Sequence, residues 1–128
     1  MSALAHDIFS NIPERDFLSL LDKGEARPSK VIEFVGFKKE DVSKAAGVPA
    51  SSVRYDERMP QILKDRLREW ANLFNLVAQF FKGDAVKTAL WFKTSNPMMG
   101  GISPRDMIRF GRYQKLLKFV LNALPQNQ

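Results

Sequence analysis

The sequence predicts an all-α fold. Apolar residues recur at spacings of three and four, and Pro and Gly fall between segments of helix length. No stretch reads as a strand, because none keeps the two-residue alternation of a half-buried one. At 128 residues the chain suits one domain of ordinary size, or two small helical units sharing a core.

The elements follow in order. A first helix is expected over roughly residues 3–9, and Pro13 opens a second in which Phe17, Leu20 and Leu21 form a stripe ending near Gly24. Ser29 caps a third, whose Val31, Ile32, Phe34 and Val35 are too apolar to lie anywhere but inside. Two short helices flank Gly47 over residues 38–58. Pro60 begins the longest element, in which Ile62, Leu63, Leu67, Trp70, Phe74, Val77, Ala78 and Phe81 recur at helical spacing. Leu73, Leu76 and Phe80 widen its apolar surface, so it should pack on both the N-terminal and the C-terminal parts. Its opposite face carries Lys64, Asp65, Arg68 and Glu69, ordinary surface charges of which Asp65 and Arg68 attract at three-residue spacing. Asp84 to Thr94 forms a helix with Ala85, Val86, Ala89, Leu90 and Trp91 inward, and Met107, Ile108 and Phe110 follow in another. Gly111 divides the last helices. The final one, from about Arg112 to Ala123, buries Leu116, Leu117, Val120, Leu121 and Leu124 before Pro125 ends it, and only the tail after Leu124 looks disordered. The expected organisation is an N-terminal unit over 1–59 joined by the long helix to a C-terminal domain over 60–128.

The run from Trp91 to Phe110 is the most informative. Asn96-Pro97 stops the preceding helix, because the residue before proline is pushed out of the α region, and Gly100-Gly101 permits positive φ. Ser103 then caps a new helix, Pro104 takes its first position, and Asp106 offers a carboxylate to the exposed amides. These are mostly backbone tasks, so the loop positions its neighbours.

Residues 38–58 have the form of a helix-turn-helix. With Gly47 as the turn, Val42, Ala46, Val48 and Val53 fall where two helices would pack, and Ser43 is small where they approach. That arrangement makes Lys44, Ser51, Ser52, Arg54 and Tyr55 the candidate DNA contacts, since hydroxyls, a phenol and basic groups reach base edges or phosphates. Asp56 stands where an apolar residue would normally finish the packing, and Asp56-Glu57 adds negative charge beside the reading helix.

Net charge is +6, all of it in the C-terminal part: residues 1–81 hold 12 Lys/Arg and 12 Asp/Glu, while residues 82–128 hold eight and two. Such a segment attracts polyanions or an acidic protein partner. The absence of cysteine excludes disulfides, thiolate catalysis and Cys-ligated metals, and suits a reducing cytoplasm. No apolar run approaches the roughly 18 residues that span a bilayer, and the first residues lack the pattern of a signal peptide, so a cytoplasmic protein away from membranes is expected. Catalysis is not expected: the lone histidine, His6 beside Asp7, reads as a solvated residue, and Glu40-Asp41 and Asp56-Glu57 read as capping and surface charges.

Residues 60–124 resemble the C-terminal toxin-binding domain of the Xre/MbcA/ParS antitoxin family. The resemblance rests on Trp91 at a helix end, Asn96-Pro97, Gly100-Gly101 and Ser103-Pro104, followed by Asp106 and Gly111. With the helix-turn-helix-like part upstream it extends over roughly residues 28–124. It implies an antitoxin of a type II toxin–antitoxin pair, similar to those that neutralise RES-domain toxins, which consume or transfer from NAD, by masking their active site. It also implies autorepression of the operon, a homodimer within the complex, and no cofactor. Carried onto this chain, Arg105, Arg109, Arg112, Tyr113 and Leu121 are the residues expected to meet the toxin. The alternatives are a free-standing helix-turn-helix regulator and an adaptor for some other protein.

Overall fold

Pro13 and residues 15–123 are described in the computed structural model. After a turn at residues 17–18, β1 (Leu21–Asp22) and β2 (Glu25–Ala26) pair antiparallel, with Leu21 opposite Ala26 and Asp22 opposite Glu25. Helices α1 (Pro28–Val35) and α2 (Lys39–Ala46) lead to a 3-10 turn at Ala50–Ser52 and then to α3 (Gln61–Phe80). The rest is α4 (Ala85–Lys93), a 3-10 turn at Pro97–Met99, α5 (Pro104–Arg109) and α6 (Tyr113–Ala123). The helix expected over residues 3–9, the His6-Asp7 pair, and the tail with Leu124 and Pro125 lie outside the described residues.

The mainly helical expectation holds, with one correction before Pro28: the helix expected from Pro13 to Gly24 is not formed. Lys23 and Gly24 have φ of 54° and 82°, the two consecutive positive values of a tight hairpin turn that matches strand twist. The Asp16 carboxylate accepts the amides of Leu20 and Leu21 at 2.8 and 2.9 Å, which offers the backbone an alternative to helical bonding. Local polar chemistry overrides the Phe17/Leu20/Leu21 stripe. The cap of α1 is also two residues earlier than expected: Arg27 is the N-cap and Pro28 takes the first position, so Ser29 lies inside the helix.

Helix α3 is the centre. Ten of its 20 residues are buried, from Leu63 to Ala78, on more than one face. Pro60 precedes it as expected. Ile62 does not turn inward and is 43% exposed, because it shares its face with Asp65, Arg66 and Glu69. Around α3 the aromatic rings interlock: Phe74 meets Phe34 at 5.0 Å and Phe92 at 4.8 Å, and Phe37 stands edge-on to Trp70 at 5.8 Å. Each such burial contributes roughly 1.5–3 kcal/mol. One cluster of buried residues runs from Leu20 to Val120, so the expected boundary at residue 59/60 crosses a shared core.

Helix α4 is rotated relative to the sequence expectation. Thr88 and Phe92 are buried, whereas Val86 is 78% and Leu90 64% exposed and Ala85 also faces solvent. The Asp84 carboxylate caps the Lys87 amide at 3.0 Å, and Thr88 donates its hydroxyl to the Asp84 carbonyl at 2.7 Å. That bond satisfies Thr88 within its own helix, so it can be buried one turn before Phe92. Val86 and Leu90 then lie on the far side. Phe110 is likewise 40% exposed and lies between Lys44 and Arg109, whose cations stand 4.9 and 4.7 Å from its ring centre.

One buried polar residue ties the hairpin to this centre. Asn75 of α3 is fully buried, accepts the Leu18 amide at 2.9 Å and donates to Asp16 at 2.9 Å. Replacement Asn75→Leu should cost about 1–3 kcal/mol in urea unfolding, because the Leu18 N–H and one Asp16 lone pair lose their partner. Burial raises the Asp16 pKa, but the Leu20 and Leu21 amides, Asn75 and the Arg27 charge outweigh it and hold the carboxyl below its ordinary 3.8. Its stabilisation is therefore present above pH 3.8 and is lost as pH falls through the lower folded value. Asp16→Asn should remove that part of the acid-side loss, as measured by urea midpoints across the acid range.

Candidate functional site

The loop after α4 is built as its residues require. Asn96 accepts the Met98 amide on its side chain at 2.9 Å, donates its own amide to the Ile102 carbonyl at 3.0 Å, and receives Gly101 N–H on its carbonyl at 3.1 Å. Pro97 opens the 3-10 turn, Gly100 and Gly101 take φ of 75° and 87°, and Ser103 Oγ accepts the Asp106 amide at 3.1 Å with Pro104 buried behind it. The result is a closed ring of bonds that fixes where α4 ends and α5 begins. Trp91 packs edge-on against Phe92 at 5.0 Å.

The helix-turn-helix expectation is met only in its first half. Val42, Ala46, Val48 and Val53 are buried, Gly47 ends α2 at φ 72°, and Ser43 donates its hydroxyl to the Val48 carbonyl. The second helix is absent: Ala50–Ser52 make one 3-10 turn between the extended Pro49 and Val53. Asp56 gives the reason, since it binds Arg54 at 2.8 Å and the Arg58 amide at 2.9 Å and closes a turn where the helix would have continued. The two side chains hold each other charged, their hydrogen bond raising the Arg54 pKa and lowering that of Asp56. Ser51 is exposed and Ser52 half-buried, and Lys44 lies over Phe110. Tyr55 lines a cleft with Ala26, Pro28, Met59 and Leu67, so these candidates share no helical reading face.

Three of the residues expected to meet a toxin serve the fold. Arg105 donates to the Gly36 carbonyl at 2.7 Å and lies 5.9 Å from the Phe37 ring, joining α5 to the end of α1. Tyr113 donates its hydroxyl to the Glu69 carbonyl at 3.0 Å, and burial pushes its phenol pKa up. Arg109 binds Asp106 at 3.0 Å and approaches Asp41 of α2 at 3.9 Å. Arg112 is exposed, and Leu121 is half-buried on α6.

The same half carries a feature that the sequence reading did not assemble. A groove of about 170 Å³ opens between the ends of α3, α4 and α6, walled by Phe80, Phe81, Trp91 and Phe119 over Val77 and Val120. Phe80 is 52% exposed. Lys82, Lys87, Arg112, Lys115 and Lys118 are exposed and form no ion pair among the described residues. The two carboxylates of this half are engaged, Asp84 in capping α4 and Asp106 with Arg109. An apolar groove beside unopposed positive charge can bind, and the Phe-Phe pair closing α3 was its one sequence signal. Among the described residues no group of His, Cys, Asp and Glu could hold a metal ion, and no helix is long and apolar enough to cross a membrane.

No protein-family model matches the chain, nor does any curated protein or solved structure.

Two substitutions separate architecture from binding. Tyr113→Phe should lower stability by about 1 kcal/mol through loss of the bond to Glu69. Gly101→Ala should cost about 1–2 kcal/mol from its positive φ alone, since no atom lies within 4 Å of an added Cβ. Both effects are read by urea unfolding, and neither variant should alter affinity for a partner that uses the groove.

Proposed function

We propose that this chain is the antitoxin of a type II toxin–antitoxin pair, which binds a RES-type toxin and blocks its NAD site. The observation that carries the binding part is the exposed aromatic groove in the C-terminal half, with the unpaired Lys87 one helical turn from its Trp91 wall and Lys115 one turn from Phe119. Apolar surface of this kind, rimmed by polar groups, marks interaction sites. The type of partner comes from the resemblance of Trp91, Asn96-Pro97, Gly100-Gly101 and Ser103-Pro104 to the antitoxin family. The chain itself supplies no chemistry in this reading; it obstructs.

The contact surface we propose differs from the one first expected. Arg105, Arg109 and Tyr113 are occupied within the fold, which leaves Lys87 of α4, Arg112 just before α6, Lys115 and Lys118 of α6, and the groove available to a partner. Operator reading by residues 50–58 is not part of the proposal, because a single 3-10 turn stands where the reading helix would be.

Co-expression with the product of the adjacent gene tests the proposal. Growth arrest by that product alone, relieved by this chain, together with a co-purifying complex, is the expected outcome. A harmless neighbour, or one that still arrests growth with this chain present, would sink the antitoxin reading. Phe119→Asp, which puts a carboxylate into the groove wall, should weaken the relief while the circular dichroism stays helical.

A further inference from the structure

We propose that the groove between the ends of α3, α4 and α6 receives an acidic amphipathic helix of the partner, with apolar anchors inside and carboxylates on Lys87 and Lys115. The inference rests on the reading of this half as a partner-binding surface and names the chemistry of what it binds.

The walls and the charges come paired. Lys87 stands one helical turn before Trp91 on α4, and Lys115 one turn before Phe119 on α6. Residues four apart share a helix face, so each of the two helices presents an aromatic ring and an ammonium on the same side. Both lysines are exposed and without an ion pair among the described residues. Helices α4 and α6 thus each bring a ring and a free cation to one side of the opening.

The occupant follows from this pairing. The rings call for large apolar side chains, and the lysines for carboxylates beside them. The groove, about 170 Å³, falls below the roughly 300–1,000 Å³ of small-molecule pockets, so it is sized for a few side chains. Its walls are helix ends, and the hairpin β1–β2, the one sheet among the described residues, contributes nothing to it. Strand addition therefore has no edge to use there, whereas a helix laying its apolar stripe into a groove needs none.

The test titrates the full-length, 15N-labelled chain with a stapled helical peptide of about 15 residues, long enough to present two turns of anchors. It carries leucines on one face and glutamates on both flanks, and is compared with the same peptide bearing lysines for glutamates. The Trp91 indole and the Phe119 and Ala123 amides should move, and the acidic peptide should bind about fivefold tighter, as expected of two exposed ion pairs. Added salt should narrow the difference. The double variant Lys87→Glu/Lys115→Glu, both at exposed positions, should invert the preference.

Equal binding of the two peptides, no binding, or shifts confined to another surface would overturn the inference. It would equally fall if the groove signals respond only after Ile8→Asp/Phe9→Asp, which would make the chain's own N-terminal segment the occupant. Dependence of those signals on protein concentration without peptide would instead make the occupant a second copy. The peptide titration needs no toxin, so its failure leaves co-expression relief intact. Absence of relief by the wild-type chain sinks the antitoxin reading whatever the peptides do.

Discussion

Enclosing α3 is the constraint from which the rest of the fold follows. A helix of 20 residues with buried side chains on more than one face is unstable in water unless other elements surround it. The N-terminal part covers one side with α1 and the hairpin, and α4 with its successors covers another, so that Phe34 and Phe92 meet Phe74 from different parts of the chain. Neither half has a complete core of its own, since the buried cluster is continuous from Leu20 to Val120. Asn75 fits this constraint. A fully buried amide is tolerated at the centre because the hairpin segment brings it a donor and an acceptor, Leu18 N–H and Asp16, and the same bonds hold that segment in place.

Much of this was legible in the amino-acid sequence, and where it was not, the cause is physical. The stripe from Leu63 to Phe81 defined α3 because helical periodicity is a local property that packing reinforced. In the loop from Asn96 to Pro104 the positive-φ glycines and the Ser-Pro helix start were legible because nearest neighbours decide them, whereas α4 already ends at Lys93 and the Asn96 side-chain turn over Pro97–Met99 was not foreseen. The hairpin was missed because Phe17, Leu20 and Leu21 imitate a helical stripe, while the decisive bond runs from Leu18 to a residue 57 positions away. The phase of α4 was misread for the converse reason. Ala85, Val86 and Leu90 look like the inward set, yet Phe92 is the side chain that completes the aromatic cluster, and a helix cannot turn both faces inward.

The candidate site shows the same division. Arg105, Arg109 and Tyr113 belong to the basic C-terminal segment, but charge composition carries no information about which cations are spent on carbonyls and carboxylates inside the fold. The segment near Arg54 went the other way: its apolar spacing promised a second helix, and Asp56, noted as out of place in that pattern, supplies the turn that prevents it. The groove could not be assembled from sequence because its walls come from three elements separated by loops, and the sequence reading had assigned Phe80, Phe81 and Trp91 to packing.

Architecture and binding are thus divided between neighbouring residues. The ring of bonds around Asn96 spends its polar groups on itself, and Thr88 and Phe92 turn α4 so that Trp91 borders the groove and Val86 and Leu90 face outward. Every carboxylate of this half that could have neutralised a rim lysine is instead committed to a helix end or to Arg109. A surface meant only to be wet would gain nothing from leaving aromatic rings beside unpaired ammonium groups. Such a surface costs solubility and invites association, which is the physical ground for proposing that a complementary chain covers it. The loop from Asn96 to Pro104 therefore matters for what it positions: it fixes α4 against α5, and through them the opening on which α6 sets Phe119 and Lys115.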